Sequence, residues 1–182
     1  MANGKTALVV IDMQKAVLEA SAHSEEIVAN VVALVGKARA EGIPVVWVQH
    51  ESEGIPRNTP GWQYVDELVP APEEPLVPKT YADAFAKTEL KGVLEGLGAK
   101  HFYLCGAMTD ACIRSTLFGG VYRGYDVTLV ADAHTTANRD EFGYTADQAI
   151  AVVNMMAGYT VLPEARTDVT TTASFPNRSA AV

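Results

Sequence analysis

Three side chains far apart along the chain are of the types that together could ready a thiol for nucleophilic attack. Cys112 stands where an apolar strand, Phe102-Tyr103-Leu104-Cys105, turns through residues 106–109 into a helix over about residues 110–123. The unpaired N–H groups and positive dipole end of a first helical turn lower a thiol's pKa toward the reactive thiolate, which suits a nucleophile. Free cysteines are more commonly small buried hydrophobes, and Cys105, inside the strand, is read that way. Asp12 follows the apolar run Ala7-Leu8-Val9-Val10-Ile11; partial desolvation there raises a carboxylate's pKa and lets it act as general base toward a thiol, or, more plainly, it caps the next helix. Lys79 ends a proline-rich stretch and carries a charge that could hold a thiolate and a carboxylate together, although a solvated surface lysine is the commoner case.

Other residues could wall a pocket above these groups. Trp62, Tyr81 and Phe85 lie in segments suited to lining one, with plain packing the alternative for Trp62. His134 follows the strand ending at Ala131 and could touch the substrate, or pair with Cys112 as a rival base. His50 and Glu51 offer two possible ion ligands without a third, so they read as a polar loop. No strand leads into a Gly-x-Gly-x-x-Gly turn, which sets dinucleotide binding aside.

The elements that must position these groups alternate. Residues 7–11 form a strand apolar on both faces; Ser24, Glu25 and Glu26 start a helix whose apolar positions run to Ala38, with Gly42 and Pro44 as stops; residues 45–48 are the second strand. Residues 51–78, with six prolines, read as a long surface excursion. A short helix over residues 89–97 precedes the strand at 102–105, and the helix carrying Cys112 leads to a strand at 127–130. Thr145 and Gln148 resemble a capping box opening a helix that runs to Gly158, and residues 160–162 read as the last strand. The alternation predicts an α/β fold, a parallel sheet with helices on both faces and its site at the carboxyl ends of the strands. Residues 1–165 form one domain, and 166–182, rich in Thr, Ser and Ala, a tail or arm.

At 182 residues and 48% hydrophobic content the chain can bury one core, and its net charge of −8 repels nucleic acid and anionic membranes. No apolar run nears the ~20 residues of a membrane span, and the start lacks the pattern of a signal peptide, so a cytoplasmic protein is expected. Two cysteines are too few for a disulfide framework.

Four segments then carry a resemblance: Val9 to Gln14, Pro78 to Phe85, Cys105 to Thr116, and Arg123 to Ala133. In order and in residue types they resemble the signatures of the isochorismatase-like cysteine hydrolases, spanning about residues 7–162. Cys105 to Thr116 with Asp132-Ala133-His134-Thr135-Thr136 looks most like the branch of streptothricin hydrolase and its relatives, which open a lactam. The resemblance implies a three-layer αβα Rossmann-like fold with a six-stranded parallel sheet, and Asp12, Lys79 and Cys112 as a triad acting through a thioester. It implies an oxyanion hole from the backbone N–H groups of Met108 and Cys112, and a cis peptide at Ala107-Met108. Gln49-His50-Glu51 departs from the metal-binding pattern of nicotinamidases, so no metal or other cofactor is expected; isochorismatases proper lack the cysteine, which favours amide over vinyl-ether cleavage. The expected partner is a small-molecule amide, lactam or ureide. A homo-oligomer, dimer or larger, is also expected, with the Leu117 to Tyr122 face at an interface or in the core. A non-catalytic α/β protein that binds a small molecule, or a hydrolase of a different bond, would keep the same outline.

Overall fold

The computed structural model describes residues 5–176. Its centre is the strand β1 (Lys5–Ile11), in which residues 7–11 are wholly buried. Val9 and Ile11 face one helical layer while Leu8 and Val10 face the other, so neither side of the strand can be polar. Burying Leu8, Val9, Val10 and Ile11 contributes about 1.5–3 kcal/mol each, which makes this the natural core strand.

Around it lie β2 (Val45–His50), β3 (Leu76–Lys79), β4 (Ala99–Ala107), β5 (Asp126–Thr135) and β6 (Thr167–Thr170), in the order β3-β2-β1-β4-β5-β6, every pair parallel. Helices α1 (Lys15–Glu19) and α2 (Ser24–Ala40) cover one face. The other is covered by α3 (Leu90–Gly96), α4 (Arg114–Val121) and α5 (Ala146–Tyr159), through Leu90, Leu94, Leu117, Val153 and Ala157. The result is the three-layer α/β architecture that the alternation and the resemblance implied. The reciprocal Thr145–Gln148 capping box opens α5.

The order reverses between β1 and β4, and it is at the carboxyl edge of such a switch point that open α/β sheets place their sites. Ile11 pairs with Gly106, so Asp12 and the turn after β4 emerge side by side. Gly106 has φ of +118°, and a side chain there would collide with the Ile11 carbonyl; only glycine permits the approach.

Two strand positions differ from the sequence reading. The excursion over residues 51–78 ends in β3, an edge strand in which Pro78 needs no ladder donor on its open side. The last strand is β6, not residues 160–162: Val161 is 74% exposed and makes an antiparallel bridge to Arg166 in a turn. β6 therefore comes from the segment read as a tail, held by Val169 and its β5 pairing rather than by an apolar run. Beyond it Thr172 binds Asp132 through its N–H and hydroxyl, and Phe175 packs on Tyr103. The expectation of a tail or arm for residues 177–182 lies outside the described residues. Among the described residues no helix is long and apolar enough to cross a membrane.

Candidate active site

Asp12, Lys79 and Cys112 meet at the carboxyl edge of the sheet. Asp12 leaves β1 with φ of 50°, the left-handed region that Asp tolerates better than most residues, and its backbone N–H is held by the Val48 carbonyl. Lys79 ends β3, where its register with His50 turns it inward. Its ammonium lies 2.6 Å from Asp12 Oδ2, donates to Cys112 Sγ at 3.1 Å, and reaches His50 Nδ1 at 3.2 Å. An ammonium has three hydrogens and here meets three acceptors, which is how a buried lysine keeps its charge. Because Nδ1 accepts, the network assigns the His50 proton to Nε2.

The charges follow from this packing. Burial raises the Asp12 carboxyl, against the lowering pull of Lys79. Burial would lower Lys79, but Asp12 and then Cys112 hold it above its ordinary value. His50 is lowered by burial and by the neighbouring ammonium, so it stays neutral. The Cys112 thiol is pushed up to about 11 by burial and then by the Asp12 charge, and Lys79 offsets only part of this. This corrects the expectation of a thiolate lowered by a helix start. The turn around Cys112 is π-helical (Thr109–Ile113) and runs into α4 at Arg114, and burial is the first cause of the raised thiol. The resting group is a neutral thiol on a lysine, beside a carboxylate whose Oδ1 is buried without a hydrogen-bond partner.

This sets an expected pH profile. Because the thiol's pKa is raised, its thiolate fraction climbs with pH toward about 11. Iodoacetamide labelling of Cys112 should thus rise about tenfold per pH unit from neutral pH upward, with no plateau below pH 8. Cys105, wholly buried and raised by burial alone, should stay unlabelled in the folded protein. Peptide mass spectrometry after timed labelling reads both, and a plateau below pH 8 would mean a preformed thiolate.

The turn bearing the sulfur is braced. The Ala107–Met108 peptide is cis. Asp110 accepts from Arg139 Nε at 3.0 Å, Tyr144 Oη at 2.7 Å and Thr136 Oγ1 at 2.5 Å; burial would raise its carboxyl, but these donors hold it down at about 2. Arg139 also reaches Met108 Sδ at 3.4 Å. On the lysine side the Ala84 N–H donates to Thr116 Oγ1, and Arg123 of the α4 end pairs with Asp83 at 3.2 Å, so the segment after Lys79 is fastened to the helix after Cys112.

The remaining sequence candidates separate. Trp62 is partly buried, its carbonyl held by the Gln14 and Gln49 side-chain amides at 2.9 and 2.8 Å, which keeps it at the ends of β1 and β2. Phe85, in contrast, is a core residue against Phe102 and Tyr125 rather than a pocket wall. Tyr81 is half exposed beneath the Lys87 ammonium. His134 is wholly buried, lowered to about 4 by burial, and each ring nitrogen has a partner, Thr109 and Asn154; it is a strut for the turn, which removes the Cys112–His134 pair. Of the Leu117 to Tyr122 face, Leu117, Gly119, Gly120 and Val121 are core and Tyr122 is exposed. Among the described residues no group of three or more His, Cys, Asp or Glu side chains is arranged to hold a metal ion. A cleft of about 590 Å³ elsewhere, bordered by Leu18, Val28 and Val65, contains none of the three reactive groups.

Two contributors went unread in the sequence. His50 was taken as loop, although its place opposite Lys79 follows from the β2–β3 register. Gln14, wholly buried, ties His50 by both N–H and carbonyl and Trp62 by its carbonyl; an amide two residues past Asp12, at the end of an apolar strand, was its signal.

The chain is similar to several known proteins. Residues 6–162 match the family model described as the isochorismatase domain. The chain is 36% identical over 152 residues to the secreted isochorismatase effector Isc1 of Verticillium dahliae, covering 80% of this chain and 79% of that protein. It is 34% identical over 137 residues to a streptothricin hydrolase of Streptomyces noursei, covering 71% of this chain and about half, 54%, of that enzyme. In three dimensions it matches a cysteine hydrolase of Pseudomonas syringae pv. phaseolicola with a TM-score of 0.86 at 24% identity, over 93% of this chain and 90% of the other.

Proposed function

This chain belongs to the isochorismatase family of hydrolases, and from that premise we propose that it cleaves an amide-type C–N bond of a small molecule through a thioester on Cys112. The observation that carries the reading is one ammonium, Lys79, bonded to both Asp12 and Cys112 while the second carboxylate oxygen has no partner. A neutral thiol near a free, buried carboxylate oxygen is an acid and a base awaiting an electrophile.

As Cys112 Sγ attacks the carbonyl carbon, its proton passes to Asp12 Oδ1 and a C–S bond forms. The backbone N–H groups of Met108 and Cys112 receive the oxyanion, which collapses with breakage of the C–N bond. Asp12 gives the proton to the departing nitrogen. Water, deprotonated by Asp12, then hydrolyses the thioester and restores the thiol. Lys79 keeps its proton throughout, held charged by Asp12 and Cys112. Coupling proton transfer to attack avoids populating a thiolate that burial disfavours.

Relatives named streptothricin hydrolase and ureidoacrylate amidohydrolase support an amide or ureide bond, and lactams, carboxamides and ureides are the bond class proposed. A reducing compartment, the cytoplasm, suits a nucleophile that must remain a free thiol; the similarity to a secreted effector names the competing location. The test is a screen of lactams, carboxamides and ureides for release of ammonia or amine, followed by acid quench and intact-mass measurement. A covalent acyl group mapped to Cys112 is expected. Turnover with full activity and no acyl group under burst conditions would defeat the thioester route.

A further inference from the structure

One guanidinium joins the two residues on either side of Thr109. Arg139 Nε donates to Asp110 Oδ2 at 3.0 Å and its Nη2 reaches Met108 Sδ at 3.4 Å, while the side chains of the ion pair are only 26% and 16% exposed. The guanidinium fork is planar and rigid, so partners held by two of its nitrogens are fixed relative to each other. Arg139 is itself seated. It exchanges backbone hydrogen bonds with Tyr144, and Tyr144 Oη donates to the same Asp110 oxygen at 2.7 Å. The Asn138 side chain accepts from the Ala146 N–H, which ties this loop to the start of α5. The rest of the turn is held separately, by Thr109 on His134 and by the Met108 carbonyl, which accepts from the Ala111 and Ile113 N–H groups. Among the described residues Arg139 is the one polar contact of the Met108 side chain, and the Met108 N–H bonds to no other group.

Resting on the thioester reading above, we propose that Arg139 is a positioning residue for the reaction, holding Met108 so that its N–H meets the oxyanion formed when Cys112 attacks. It acts through the turn rather than on the reacting atoms. An oxyanion-hole donor works by being fixed beforehand where charge will develop, and a displacement of about 1 Å can cost ~10²-fold in rate. A thioether on a flexible side chain cannot fix a backbone by itself, and the arginine supplies the anchor by tying it to Asp110. The nucleophile is set by other groups. The charges acting on the Cys112 thiol are those of Asp12 and Lys79, so removing Arg139 leaves its protonation as it was.

Two reagents aimed at the same sulfur test this on the full chain, because only one of them builds an oxyanion. Acetyl transfer from p-nitrophenyl acetate passes through a tetrahedral oxyanion as the C–S bond forms, the thiol proton goes to Asp12 and p-nitrophenolate leaves. Iodoacetamide alkylation displaces iodide at a saturated carbon and forms none. In Arg139→Met the nitrophenolate burst, with the acetyl group mapped to Cys112 after acid quench, should slow by about 10- to 100-fold. Iodoacetamide labelling of Cys112 should stay within about twofold of wild type, since the thiolate fraction is unchanged. Arg139→Lys, whose ammonium keeps the charge but lacks the fork, should slow the acetyl reaction alone by about 3- to 10-fold. Far-UV circular dichroism checks that each variant is folded. A folded variant acetylated at the wild-type rate would overturn the proposal, and so would equal slowing with both reagents, which is what a general loosening of the turn produces. A wild type that labels with iodoacetamide yet takes no acetyl group on Cys112 would instead remove the thioester reading, and this inference with it.

Discussion

Replacing Cys112 with alanine is expected to lower kcat/KM by ~10⁴-fold or more on any amide the enzyme hydrolyses, because no other group near the carbonyl can form the covalent intermediate. The more discriminating variant is Asp12→Asn. In the folded protein the Asp12 charge is among the causes raising the Cys112 thiol toward 11, while Lys79 lowers it. Removing that charge and leaving Lys79 should lower the thiol pKa, so that iodoacetamide labelling at pH 8 becomes faster than in wild type. Hydrolysis should nevertheless become slower, by about 10²–10⁴-fold, since nothing then protonates the departing nitrogen. An enzyme whose only need was a thiolate would show both rates rising together. Measuring labelling and turnover on the same preparations separates the cases, and an Asp12→Asn protein that labels faster and also hydrolyses faster would remove Asp12 from the proton path.

Why the site could be read so far ahead of the fold's details is a matter of which forces act locally. Residues 7–11 announced a buried strand because five apolar residues in a row admit little else, and Asp12 at its end followed at once. The capping box at Thr145 and Gln148 is likewise a local contract between side chain and backbone. β3 and β6 are different. Each is a four-residue edge strand, one carrying Pro78 and the other Thr167-Asp168-Val169-Thr170, and an edge needs little apolar character because a neighbour covers only one side. Residues 160–162 misled because Thr-Val-Leu has strand character without a strand's neighbours. The charge of Cys112 was illegible for a related reason. The helix start can be inferred from position, but the burial that raises the thiol depends on what the rest of the chain packs around the sulfur. Phe85 and His134 show the same limit, since an aromatic or imidazole near a site in sequence becomes wall, core or strut only through tertiary packing.

Lys79 is where activity and stability are expected to part most clearly. Lys79→Met should cost at least ~10³-fold in kcat/KM, because the sulfur and the carboxylate lose their common partner and the developing charge its nearest cation. It should also destabilise the fold by about 3–5 kcal/mol at neutral pH, the usual cost of leaving one buried charge alone. The sign of the pH dependence follows from Asp12. Its carboxyl is already raised by burial against the pull of Lys79, and losing the ammonium raises it further. A group raised in the folded state is most favourable to folding below its unfolded pKa, about 3.9, and that contribution is lost as pH climbs through the folded value. Urea midpoints of Lys79→Met should therefore lie near wild type at about pH 4 and fall away toward neutrality. Adding Asp12→Leu should recover most of the stability and none of the activity, because an apolar pair can replace a buried ion pair in packing but cannot move a proton. Were Lys79→Met to retain wild-type midpoints from pH 4 to 8, the ammonium would not be the counter-charge that holds Asp12 ionised, and the coupling between carboxylate and thiol would need another source.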